Sequence, residues 1–151
     1  MRLEECIEIR APREDIWDVI AEADKHPLFM AGLTRWDVQN GSDMRCGTRI
    51  NMRMKVGSAQ VGSCIEVTEF DPPADLAWHS VTGIDQRGRW RLREVEPGCT
   101  KVTLRLAYQA PGGLLGWVVD QIASRDVRRN LHRSLESLKD QVESGVALRR
   151  R

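Results

Sequence analysis

Between Leu33 and Tyr108 apolar and polar residues alternate, whereas on both sides of that block apolar residues recur at helical spacing. The clearest alternation is "TRINMRMKV" at 48–56. It sets Ile50, Met52, Met54 and Val56 on one face and Arg49, Asn51, Arg53 and Lys55 on the other. The same period predicts strands at 33–39, 59–70, 75–82, 86–95 and 100–108, and one at the start, "LEECIEIR" (3–10). In the first, Leu3, Glu5, Ile7 and Ile9 share a face. In 86–95, Trp90 and Leu92 point one way and Arg89, Arg91 and Arg93 the other. In 100–108, Val102, Leu104, Leu106 and Tyr108 point inward. Turn signals separate them, among them "NGSD" at 40–43 and Asp71-Pro72-Pro73, which cannot continue a ladder.

Pro12 followed by Glu14 and Asp15 suits a helix start, and Ile16, Val19, Ile20 and Ala23 form its apolar stripe. His26-Pro27 breaks that helix, and a short second one is expected at 27–31. After Pro111-Gly112-Gly113 a long helix runs to about Ser144. The domain then occupies 1–145, and 146–151 is a basic, disordered tail. The order is a strand, two short helices, six strands and one long helix. That is an α+β chain with a curved antiparallel sheet of about seven strands. Its dry face needs a cover, which only the last helix can supply.

That helix changes character along its length. At about 100° per residue, Val127, Leu135, Leu138 and Val142 fall within about 40° of Leu131. Followed backwards, the same line reaches Ser124, Asp120 and Trp117, while Leu115, Val118, Val119 and Ile122 lie on the far side. Two readings fit. In one, the helix leaves the packed core near Val127 and roofs a cavity, into which Trp117, Asp120 and Ser124 look. In the other, a kink near Ser124-Arg125-Asp126 turns the first half, buries Val118 and Ile122, and exposes Asp120.

A sheet gripping one helix leaves space, and that space is the candidate ligand site. Its expected lining is Met52, Met54, Trp78, Trp90, Leu92, Leu104, Leu106 and Tyr108 from the sheet, with Trp117, Asp120 and Ser124 from the helix. Ordinary core packing competes for most of these. Tyr108, at a strand end, needs a partner for its hydroxyl if buried. Asp120 is a weak candidate acid or base, since a buried carboxylate without a cation has a raised pKa. Opposite Trp78, His79 faces water, and His26 and His132 fall on helix or turn surfaces. No metal spacing and no nucleophile relay emerges.

The chain has 151 residues, 41% hydrophobic and 30% charged, with a formal net charge of +1. That near balance argues against a dedicated nucleic-acid binder. Arg89, Arg91, Arg93, Lys101 and Arg105 make an outer basic stripe, but Glu4 and Glu8 of the first strand are expected beside Lys101 and Arg105, which favours cross-strand ion pairs. Cys6, Cys46, Cys64 and Cys99 are widely spaced, which favours free thiols and a cytoplasmic setting; no signal peptide or membrane span is read.

Three stretches, "IEIRAPREDIWDVI", "VTEFDPPADLAW" and "APGGLLGWVVDQI…RRNLHRSLESLK", together resemble the START-like, helix-grip superfamily and within it the bacterial polyketide cyclase/dehydrase family. The resemblance spans nearly the whole chain. It implies a helix-grip fold and a small hydrophobic ligand such as a lipid, polyketide, isoprenoid or quinone. It also implies two alternatives, a polyketide aromatase/cyclase or dehydratase and a co-chaperone-like interaction module. Two features depart from the family: no arginine points into the pocket, and His26 precedes Pro27 where relatives often carry tryptophan. No cofactor or metal is implied, and the protein is expected as a monomer or homodimer.

Overall fold

The computed structural model describes the backbone of residues 2–39, 43–109 and 113–149, and the side chains of the same residues except 113–123 and 146–149. Residues 40–42 of the expected turn lie outside this description, as do the side chains of Trp117 and Asp120.

The alternating block folds into one antiparallel sheet. Its strands are β1 (Arg2–Ile9), β2 (Leu33–Val38), β3 (Arg49–Val56), β4 (Ala59–Asp71), β5 (Asp75–Gly83), β6 (Asp85–Glu96) and β7 (Cys99–Gln109). They lie in the order β1-β7-β6-β5-β4-β3-β2, so every neighbouring pair except β1–β7 is a hairpin. Between β1 and β2 come α1 (Arg13–Ala21), a single 3₁₀ turn (Ala23–Lys25) and α2 (His26–Phe29). The chain ends in α3 (Gly113–Arg149). This is the helix-grip architecture the sequence implies.

Three boundaries differ from the sequence reading. The stripe that ended at Ala23 is divided, with Ala23 buried in the 3₁₀ turn. The second helix starts at His26 and ends at Phe29, with Pro27 in its first turn, where a missing N–H costs nothing. The third helix runs past Ser144 to Arg149, so residues 146–149 of the expected disordered tail are helical; Ala147, Leu148 and Arg149 are strong helix formers.

The stripe of α3 meets the dry face of the sheet as its spacing requires. Val127, Leu131, Leu135, Leu138 and Val142 are all buried, against Leu3, Ile9, Leu92, Val102 and Leu104 in one core cluster. Polar ties fix the helix along its length. Arg128 pairs with Glu5 at 3.2 Å and the Lys139 ammonium donates to the Glu8 carbonyl at 2.9 Å. Ser134 Oγ accepts from the Ala31 N–H at 2.8 Å, and Asn130 Nδ2 donates to the Lys55 carbonyl at 3.2 Å.

On the outer face the basic stripe is neutralised. Glu4 stands opposite Arg105 and pairs with it at 3.0 Å; Glu8 stands opposite Lys101. Arg89, Arg91 and Arg93 converge on one carboxylate, Asp75, at 3.4, 3.1 and 3.0 Å, and Arg89 also pairs with Glu69. Burial alone would raise the Asp75 carboxyl, but hydrogen bonds from Arg93 and Arg91 and the charges of both override it and hold it below its ordinary value. Removing that charge leaves Arg91 and Arg93 without their carboxylate and Arg89 with Glu69 alone. Asp75→Asn should cost about 2 kcal/mol in urea unfolding, reduced from the value of a fully buried pair because the arginines are partly exposed. An unchanged denaturation midpoint would show that the cluster contributes nothing.

Candidate ligand cavity

Because α3 packs most extensively on β1, the concave face of β3, β4 and β5 is incompletely covered. A cavity of about 510 Å³ lies there, bounded by the sheet, α2 and α3. Alternation delivers its walls: Ile50, Met52, Met54 and Val56 from β3, Ile65 and Val67 from β4, Leu76 and Trp78 from β5, Trp90 from β6, and Leu104, Leu106 and Tyr108 from β7. The strand positions proposed from the sequence therefore come together, with one exception. Leu92 is fully buried opposite Val102 in the core and is not on the cavity wall. Its parity is right, but it lies further along β6, beneath packed side chains rather than open space.

From α3, Asp126, Val127, Asn130, Leu131 and Ser134 reach the cavity. Ser124 is half-buried and is not among the described lining residues. Asp126 is the carboxylate the described part of the helix presents; it stands beside Gly57 of the β3–β4 turn and 3.9 Å from Arg129, at the rim. The choice between a roofing helix and a kinked one falls on Trp117, Asp120 and the far-side apolar residues, whose side chains lie outside the described residues.

Trp78 owes its place to a missing side chain. Gly88 is its partner across β5 and β6, and a Cβ on Gly88 would collide with the indole ring. The ring lies over the glycine and faces the cavity. Gly88→Ala should expel it, costing about 1–3 kcal/mol through overpacking and shifting the tryptophan emission. An unshifted spectrum would show that Trp78 does not depend on Gly88.

The largest correction concerns His26. Reading Pro27 as a break placed this residue on the surface, yet it is 3% exposed and lines the cavity. Its ring stacks on Trp36 at 5.1 Å and 9° and lies 5.0 Å from Phe29, which in turn meets Trp90 edge-on at 6.1 Å. Trp36 is itself anchored by its indole N–H, which donates to the Ala23 carbonyl at 2.9 Å. No local pattern signals this burial; it follows from α2 docking between the sheet and α3. Burial lowers the His26 pKa to about 4, against the opposing pull of the Glu22 and Ala23 carbonyls. The imidazole is neutral at physiological pH, and its Nδ1 has no hydrogen-bond partner among the described residues.

Two further polar groups went unread although parity marks them. Gln86 shares a face with Trp90, and Ser63 shares one with Ile65. Gln86 Nε2 donates to Ser63 Oγ at 2.5 Å and contacts Met52 Sδ at 3.6 Å, so its amide is held inside the apolar wall. By contrast, His79 and His132 are exposed, as their positions imply, and each faces a glutamate. Among the described residues no cluster of metal-ligating side chains occurs, and no helix is long and apolar enough to cross a membrane.

The linkage of His26 to folding has a definite sign. The folded pKa is depressed, so the unfolded chain binds the proton first. Stability falls as pH drops from 6.5 to about 4 and levels off below. Over that interval the wild type should lose about 3 kcal/mol more than His26→Phe, which has no proton to bind there. Parallel stability curves for the two proteins would contradict a buried, neutral His26.

A curved sheet, one long gripping helix and an apolar cavity between them define a helix-grip fold. The chain belongs to the family described as polyketide cyclase / dehydrase and lipid transport, whose model matches residues 1–143. Among solved structures it is similar to TTHA0849 from Thermus thermophilus, at 18% identity and a TM-score of 0.83, covering 96% of this chain and 99% of that one. The Zhui aromatase/cyclase from Streptomyces sp. R1128 superposes with a TM-score of 0.81 at 16% identity, over 97% of this chain and 95% of that one. A START superfamily protein from Mycobacterium smegmatis gives 0.71 at 13% identity, over 95% and 97%. At these identities the likeness concerns the fold. No curated protein matches the sequence.

Proposed function

We propose that the protein binds a small hydrophobic molecule, such as a lipid, polyketide, isoprenoid or quinone, in the cavity between sheet and helix. One observation carries this reading: a partly open space of about 510 Å³ walled by methionine, tryptophan and aliphatic side chains. Burial of apolar ligand surface, at about 25 cal/mol per Å², supplies the affinity. The methionines adapt to ligand shape and the indoles offer flat faces. The family description, which joins cyclase and lipid-transport members, supports the same reading.

A second reading, catalysis of cyclisation or dehydration on a polyketide chain, draws on the same family description and on the polar groups His26, Gln86 and Tyr108 in the wall. Such an enzyme would work by shaping a reactive chain and moving protons, with Asp120 a further candidate. Asp120→Asn separates the readings, because it should abolish turnover while leaving binding intact.

The binding reading is tested by mass spectrometry of freshly purified protein, native against denatured. A mass excess that vanishes on denaturation is expected. Leu106→Trp, which fills the cavity from β7, should weaken uptake of a hydrophobic dye by about tenfold or more. Absence of both the mass excess and dye uptake in the wild type would overturn it.

A further inference from the structure

Resting on the reading of the cavity as a ligand site, we propose that Asp126 sets the charge of the ligand: the cavity takes an apolar molecule that carries an ammonium group at the rim and discriminates against one that carries a carboxylate.

Two elements place the Asp126 carboxylate. Asp126 lies about one turn before Asn130 on α3, and the Asn130 amide donates to the Lys55 carbonyl at 3.2 Å, which holds that part of the helix against the end of β3. Gly57 follows β3 with a φ of 61°, in the left-handed region that favours glycine. A Cβ on Gly57 would stand 2.7 Å from Asp126 Oδ2, so the glycine leaves the space that the carboxylate takes. Asp126, Gly57 and Ser58 all line the cavity, and the Asp126 side chain is 29% exposed. The charge therefore stands within reach of a ligand at the edge of the apolar space.

The protein itself matches that charge poorly. Among the described residues the one charge partner of Asp126 is Arg129, 3.9 Å away and largely exposed, and a pair of that geometry contributes little. Arg128, nearby on the same helix, is committed to Glu5.

The rest of the wall sharpens the choice. Among the described lining residues there is no lysine or arginine, and the buried His26 is neutral at physiological pH. Residues 110–123 include no lysine, arginine or histidine, and their single charged residue is another acid, Asp120. An anionic head group meets no counter-ion in this wall and lies against like charge at the rim, so its desolvation is not offset. An ammonium group in the same place meets a carboxylate, while its apolar body lies against Met54, Val56 and Val61. Beside low-dielectric walls that attraction is screened less than in bulk water. An uncharged head group falls between the two. Affinity comes from the apolar wall and the preference among head groups from one residue.

The test uses three ligands with the same chain, dodecylamine, dodecanol and dodecanoate, each displacing the uncharged dye Nile red at pH 7 below micellar concentrations. In wild type the amine should bind about fivefold more tightly than the alcohol, and the carboxylate about fivefold more weakly. Asp126→Asn should bring the three together, and Asp126→Arg should favour dodecanoate. In wild type the ratio of amine to carboxylate affinity should also shrink as salt rises, a readout that needs no variant to fold. Equal binding of amine and carboxylate by the wild type, a preference insensitive to salt, or one that survives in Asp126→Asn would overturn the inference while leaving the cavity a ligand site. Failure of Nile red and of all three chains to bind the wild type would overturn both.

Discussion

One constraint governs the molecule: a seven-stranded sheet with one dry face has a single long helix to cover it. Val127, Leu131, Leu135, Leu138 and Val142 give that helix an apolar stripe, and the stripe lies mainly on the β1 side. Helix α1 adds cover over β6. The concave face of β3 to β5 receives less than its apolar residues demand. The sheet curves to reduce that deficit, and what curvature cannot close becomes the cavity. Core and cavity wall are thus made of the same residue pattern, separated only by whether a helix stands above them.

The same fact explains what could be read from sequence. Alternation fixes which face a side chain takes, so Met52, Met54, Trp78, Trp90, Leu104, Leu106 and Tyr108 were all recognisable as inward-facing. It says nothing about position along the strand relative to the helix. Leu92 shares the parity of Trp90 and yet lies in solid core. Gln86 and Ser63 were legible by the same parity and were passed over because polar residues in a strand are read as outward. His26 was not legible at all. Its burial depends on Trp36, Phe29 and the docking of α2, contacts that no local period encodes. The expected stripe of α3 held from Val127 onward because helical spacing there is tied to the sheet over its full length.

Charge is partitioned with equal economy. The outer face carries the arginines, and each of Arg89, Arg91, Arg93 and Arg105 meets a carboxylate across a strand boundary. The pairs at the surface contribute little individually, but convergence on the shielded Asp75 ties β5 to β6 near the end of the sheet where Trp90 and Leu76 also pair. The arginines of the basic stripe are thereby paired within the sheet.

The cavity's polar groups sit at different depths. Asp126 and Asn130 stand where α3 meets the β3–β4 turn, with Asn130 held by the Lys55 carbonyl and Asp126 close to Gly57. Gln86 and Ser63 are fixed to each other in the wall. His26 is buried among aromatic rings and keeps a polar atom unmatched. A molecule that merely fills apolar volume gains from the methionines and indoles whatever its orientation, since dispersion and hydrophobic burial are non-directional. Orientation requires an unequal polar partner, and in the described wall Asp126, Asn130 and the Gln86–Ser63 pair are polar groups of that kind. The aromatic stack that makes His26 costly to bury also holds its ring in place. Its ring is thus part of the packed core around α2.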